Sequence, residues 1–110
     1  MQEKYTILRE SNTALTGYIY ISNNKGTIEL NPKAEVNDIP FNFRREFRQG
    51  IYQIDSQSVF EWIVQRIPPQ YRQDITDVLK ELGLKEYNEF ELFKVYRGKS
   101  VRDDFYIKKC

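Results

Sequence analysis

Pro68-Pro69, Gly83 and Gly98 divide the second half of this chain, Val59 to Ile107, into three short stretches whose apolar residues recur at helical spacing. Proline has no amide to donate to a preceding turn, and glycine accepts the left-handed backbone just past a helix end, so these residues fix where helices stop. The first stretch starts at Asp55 or Ser56, either of which can accept a hydrogen bond from the open amides of a first helical turn, and runs to about Arg66. In the second, Pro69 fits a first turn without losing a bond, and Ile75, Val78, Leu79 and Leu82 fall at i, i+3, i+4 and i+7, the spacing of one buried stripe. Asn88 caps the third, Phe90 and Phe93 face inward with Leu92 or Tyr96, and Gly98 ends it.

The first half carries strand patterns instead. Tyr5-Thr6-Ile7-Leu8 and Leu15 to Ile21 read as strands, the second placing Leu15, Gly17, Ile19 and Ile21 on one face. Asn23-Asn24-Lys25-Gly26 is hairpin chemistry, since Asn and Gly accept the positive φ of a tight turn, and Thr27-Ile28-Glu29-Leu30 returns as the next strand. Asn31 to Asp38 reads as a loop, and Ile39-Pro40-Phe41-Asn42-Phe43 as an edge strand, where Pro40 removes no ladder bond. The resulting expectation is one α+β domain over 1–110, strand-rich in 3–54, helix-rich in 55–98, with a terminal strand at 103–108. A small antiparallel sheet of three to four strands carries three short helices packed on one face.

Composition narrows the chemistry. A chain of 110 residues supports one domain that buries roughly 60 to 70% of its unfolded surface without disulfide or metal. Its 17 basic and 16 acidic side chains nearly cancel, and no apolar run approaches the ~20 residues of a membrane helix. Met1-Gln2-Glu3-Lys4 leads straight into strand alternation without the basic start and apolar core of an export signal, so the expectation is a cytoplasmic protein. The single cysteine is Cys110 and histidine is absent, which removes an internal disulfide, a cysteine-rich zinc site and the commonest general base. Asp103-Asp104 and the Asp74/Asp77 pair are poor metal signals, because adjacent strand residues point to opposite faces and hard cations need several converging oxygens. Gly98-Lys99-Ser100 lacks the earlier glycine and following helix of a phosphate loop and reads as a turn. No enzymatic activity, cofactor or metal is expected.

Two features carry binding potential. Trp62 lies in a stretch where Val59, Ile63 and Arg66 share one face and Phe60, Val64 and Ile67 another, so one side stays open. The ring is then either core or an anchor at a partner surface. Phe41, Phe43, Phe47 and Tyr52, interleaved with Arg44, Arg45 and Arg48, form the densest aromatic and basic cluster. Such a mixture suits an acidic protein face, single-stranded nucleic acid, or simply a solvated strand and turn over core aromatics.

The order of motifs from Val59 onward resembles the N-terminal subdomain of the HipA-type serine/threonine kinases of toxin–antitoxin systems. There an apolar helix, a helix start with Pro followed by Arg (here Ile67-Pro68-Pro69-Gln70-Tyr71-Arg72), a Phe-x-Leu-Leu helix (here Phe90-Glu91-Leu92-Phe93) and a Gly-containing turn into a strand recur in the same order. The family continues towards Gly-Ala and an apolar strand, whereas this chain reads Arg102-Asp103-Asp104-Phe105-Tyr106-Ile107. The resemblance implies a stand-alone module, similar to the HipS-type antitoxin of split systems, that binds and controls a HipA-type kinase encoded nearby. A DNA-binding antitoxin in the same complex is a further implied partner. On that reading Trp62, Phe41, Phe43, Arg44, Arg45, Phe47, Arg48 and Tyr52 form the partner-binding set. The alternative is a small nucleic-acid-binding accessory protein using Arg44, Arg45 and Arg48.

Overall fold

A computed structural model describes residues 1–110. Strands β1 (Glu3–Arg9), β2 (Leu15–Ser22) and β3 (Lys25–Leu30) form a meander. Single 3-10 turns at Val36–Asp38 and Phe41–Phe43 lead into helix α1 (Arg44–Arg48), and β4 (Gln53–Ile54) follows. Helices α2 (Ser56–Val64), α3 (Ile75–Glu81) and α4 (Glu89–Val95) precede the last strand, β5 (Phe105–Lys109). The sheet is antiparallel in the order β4-β3-β2-β1-β5, so the carboxy-terminal strand lies against the amino-terminal one. This is the α+β architecture the patterns imply, with five strands and four helices.

One sheet face is the core. Ile7, Ile19, Ile28 and Leu30 are buried beneath Val59, Trp62 and Ile63 of α2 and Phe90, Leu92 and Phe93 of α4. Each such side chain stabilises the fold by roughly 1.5–3 kcal/mol relative to exposure. The β2–β3 hairpin turns on Asn23 and Asn24, at φ 51° and 59°, with Ser22 opposite Lys25. Gly26 already belongs to β3 and supplies space rather than a positive φ. A Cβ there would lie 3.2 Å from Val59 Cγ1 and 3.3 Å from Phe90 Cε1, so the missing side chain lets both helices sit down on the strand. Leu15 is half-buried rather than aligned with Gly17, Ile19 and Ile21, because the β1–β2 ladder bulges between Ile7 and Leu8.

Several boundaries differ from the sequence reading. Ile39 to Phe43 is not an edge strand: Ile39 and Phe43 are buried while Phe41 between them is exposed, whereas a strand would put all three on one face, and the 3-10 turn Phe41–Phe43 separates them. The edge is β4, where Ile54 is buried and pairs with Ile28. Residues 36–38 and 41–48 are therefore helical within the half expected to be strands. Helix α2 stops at Val64, two residues before Arg66, and α3 begins at Ile75, six residues beyond Pro69. Between them the chain makes turns, fastened where the Tyr87 hydroxyl donates to the Pro68 carbonyl at 2.8 Å. Asp55 caps α2 by accepting from the Ser58 amide, and Asn88 caps α4 by accepting from the Glu91 amide.

The terminal strand starts two residues later than expected because Asp103 and Asp104 are committed elsewhere. Arg66, its side chain 3% exposed, donates to both Asp103 carboxylate oxygens at 2.7 and 2.8 Å. It also reaches the Gly98 carbonyl at 2.6 Å and the Phe105 carbonyl at 3.1 Å. A planar guanidinium matches a carboxylate bidentately, so this one side chain fastens the end of α2 to the entry of β5. Gly98, at φ 67°, makes the turn beneath it. Asp104 accepts from Arg9 and from the Ser11 amide, and buried Asp38 accepts from Arg9 and Asn12. The Ser11 hydrogen bonds hold the Asp104 carboxyl below its usual range, and the Asn12 bond does the same for Asp38, with Arg9 adding to both.

Candidate interaction surfaces

The aromatic and basic segment divides between core and surface. Phe43 is 1% exposed and packs 5.6 Å from the Trp62 ring, which also meets Phe93 at 5.6 Å. Trp62 itself is 1% exposed with the Arg66 guanidinium 4.7 Å from its ring. Trp62 and Phe43 therefore offer nothing to a partner; they are the centre of the core. The open side of α2 belongs to Phe60 and Val64. Phe47 and Tyr52 are half-buried and meet edge to face at 5.8 Å, holding α1 against the domain. Arg44 donates to the Ile39 carbonyl at 2.8 Å and so braces the turn before α1.

Phe41, Arg45 and Arg48 are what remain outside. Phe41 is 82% exposed on the 3-10 turn, with the Arg44 guanidinium 6.0 Å from its ring. Together with Asn42, Arg44, Glu46 and Gln65 these side chains line a shallow depression of about 550 Å3. The Asn42 amide donates to Gln65 at 3.1 Å and ties this ridge to the end of α2. A large ring held out in water on a braced turn, flanked by two free guanidinium groups, is suited to docking on an acidic, partly apolar surface.

A second surface escaped the sequence reading. All helices pack on one side of the sheet, so the other side is bare. Across it run Lys108, Thr6, Tyr18, Glu29 and Gln53 in one row, with Lys4, Tyr20 and Thr27 beside them and Tyr106 next to Leu8. Tyr18, Tyr20 and Tyr106 are half-buried. The Lys4 ammonium stands 4.3 Å from the Tyr18 ring centre and 5.6 Å from that of Tyr20. The signal was present as the other phase of β2, Tyr18 and Tyr20 alternating with the core residues Ile19 and Ile21.

Along the β5 edge of this face lies a groove of about 600 Å3 lined by Tyr5, Lys94, Arg97, Lys99, Tyr106 and Lys108, among others. Lys94 and Lys109 both engage Glu3, at 2.8 and 3.2 Å, which holds that carboxyl down to about 2, Lys94 first and Lys109 second. No helix is long and apolar enough to cross a membrane. Compared with protein-family models, with curated proteins and with solved structures, the chain matches none of them.

Proposed function

We propose that this chain is a non-catalytic regulatory module that docks on a HipA-type serine/threonine kinase and controls it as an antitoxin does. The partner class comes from the resemblance of the second half. The observation that carries the docking is the Phe41 ridge, a ring four-fifths exposed on a turn braced from both sides. Exposed aromatics and arginines are the side chains that interfaces bury most profitably, provided they are held rigidly beforehand. Here Phe43 and Phe47 anchor the segment inward, so Phe41, Arg45 and Arg48 meet a partner with little further loss of freedom. Control then acts by occlusion: a platform seated over the kinase's nucleotide cleft or mobile loop lowers activity without chemistry of its own.

The motif-bearing residues support the same reading by where they fall. The Pro68-Pro69 turn is fastened to Tyr87, the Phe90 helix covers the sheet, and Gly98 turns the chain into β5. The test is co-purification of the tagged protein with the neighbouring gene product from its own cell. Retention of a kinase, lost in a Phe41→Ser/Arg45→Glu variant of unchanged melting temperature, is the expected result. Recovery of no kinase, with a neighbour that is not one, sinks the assignment; recovery that ignores the variant moves the interface off the ridge.

A further inference from the structure

We propose that the bare sheet face binds single-stranded nucleic acid, its tyrosines stacking on bases and the cations along β5 and β1 holding the phosphates. The inference is independent of the kinase reading and uses a different surface.

The charge distribution is the first argument. Net charge is only +1, but residues 94–110 hold six cationic side chains and two acidic ones. Both of those aspartates are consumed by Arg66 and Arg9. Lys4, Arg97 and Lys108 form no ion pair with any carboxylate, and Lys99 reaches Glu10 only at 3.9 Å. These four line or flank the bare face, Lys4 and Lys108 from within it and Arg97 and Lys99 from the groove at its edge. Within the paired strands of this face the one carboxylate is Glu29, turned toward the Tyr20 hydroxyl and Gln53 near the opposite edge, and Glu10 flanks the face just past β1 beside Lys99. Other free cations, Arg45 and Arg48 among them, lie on the helical side, but only here do unpaired cations stand beside a row of tyrosine rings, the pairing a polyanion with flat bases requires.

The rings decide which polyanion. Tyr18 and Tyr20 stand two residues apart on β2, and Tyr106 stands on β5 two strands away, so three rings share one flat surface. Unpaired bases lie flat on such rings whatever their identity, whereas an acidic peptide gains nothing from the ring faces. The Lys4 ammonium already over the Tyr18 ring marks that face as open to a flat or cationic partner, and it would swing to a phosphate once a base takes its place.

The test follows fluorescence anisotropy of a fluorescein-labelled oligouridine of about 12 nucleotides, within the site sizes such faces take. Binding is expected at about 50 mM salt and is expected to weaken steeply by about 200 mM. A Lys4→Ala/Arg97→Asn/Lys108→Ala variant flattens the log-affinity against log-salt slope by roughly 2, since each single-strand phosphate contact contributes about 0.7. Tyr18→Leu and Tyr106→Leu each weaken binding roughly tenfold with the slope unchanged. Arg45→Glu, on the helical side, leaves binding as it was. Melting temperatures confirm that each variant folds, and Asn suits position 97 because Arg97 holds φ at 56°. No anisotropy change at low salt overturns the proposal. So does displacement of the oligonucleotide by polyglutamate of equal charge with both leucine variants binding like the parent, since the face would then select an acidic protein.

Discussion

Helices α3 and α4 are each seven residues long and each carries an apolar stripe, yet they end in different situations. Helix α4 buries Phe90, Leu92 and Phe93 completely and lies against Trp62 and Gly26. Helix α3 has no fully buried residue: Ile75, Val78, Leu79 and Leu82 are all half-exposed, and Tyr71 just before it is 88% exposed. The stripe of α3 was the more regular in sequence. Periodicity therefore names the inward face of a helix without fixing how deep that face goes, which depends on what the sheet has left to cover.

The largest test of that contrast lies at the centre of the clamped half. Trp62→Ala removes the ring shared by Phe43, Phe93 and Arg66 and is expected to cost about 3–5 kcal/mol in denaturant unfolding. Arg66→Met strands Asp103 and frees two carbonyls. Because Asp103 is about a third exposed, the loss should be roughly 2–3 kcal/mol, below the 3–5 of a fully buried pair. It should also speed hydrogen exchange of the Ile107 amide, which donates to the Arg97 carbonyl beside the clamp. Against these, Leu79→Ala in α3 is expected to cost only about 1 kcal/mol, because its side chain is partly in water and only flanks the core. A loss from Leu79→Ala as large as that from Phe93→Ala would abolish the distinction between the two helices.

Acid probes the seam between β1, α4 and β5. Glu3 is depressed in the folded protein from the ordinary 4.5 to about 2 by Lys94 and then Lys109. A carboxylate with a lowered folded value contributes stability above its unfolded value and loses it as pH falls through the folded one. Melting temperature should therefore fall between pH 4.5 and about 2, and Glu3→Gln should flatten part of that decline, leaving the share from Asp38 and Asp104. Identical profiles for both proteins would remove this ion cluster from the seam. The smallest effect belongs to the ridge: Phe41→Ser should change stability by under about 0.5 kcal/mol, since an exposed ring supports nothing beneath it.

Much of the architecture was legible from neighbouring residues. The caps at Asp55 and Asn88, the Asn23-Asn24 turn, the left-handed Gly98 and the need for one open side on α2 follow from groups a few bonds apart, whereas the choice of Phe60 and Val64 for that side came from packing. The candidate surface was read only in part. Phe41, Arg45 and Arg48 lie outside, but Trp62 and Phe43 were needed to fill the space between sheet and helices, and Arg44 to brace a turn. Aromatic content cannot say which rings the core will claim. The tyrosine face is masked in the sequence because the apolar phase of β2 accounts for the strand by itself, leaving Tyr18 and Tyr20 in the phase of ordinary solvent-facing residues.

The chain's own pattern thus determined an α+β domain, the β1–β3 meander, and the caps that start α2 and α4, since capping, turn and periodicity signals act over one or two turns of backbone. Only the folded arrangement decided that Arg66 is buried against Asp103, thirty-seven residues away, and that Glu3 meets Lys94 and Lys109. It also decided that one sheet face stays bare. Those outcomes arise from contacts between segments distant along the chain, where burial sets the cost of an unpaired charge and the limited area of the sheet determines which helix faces reach the core.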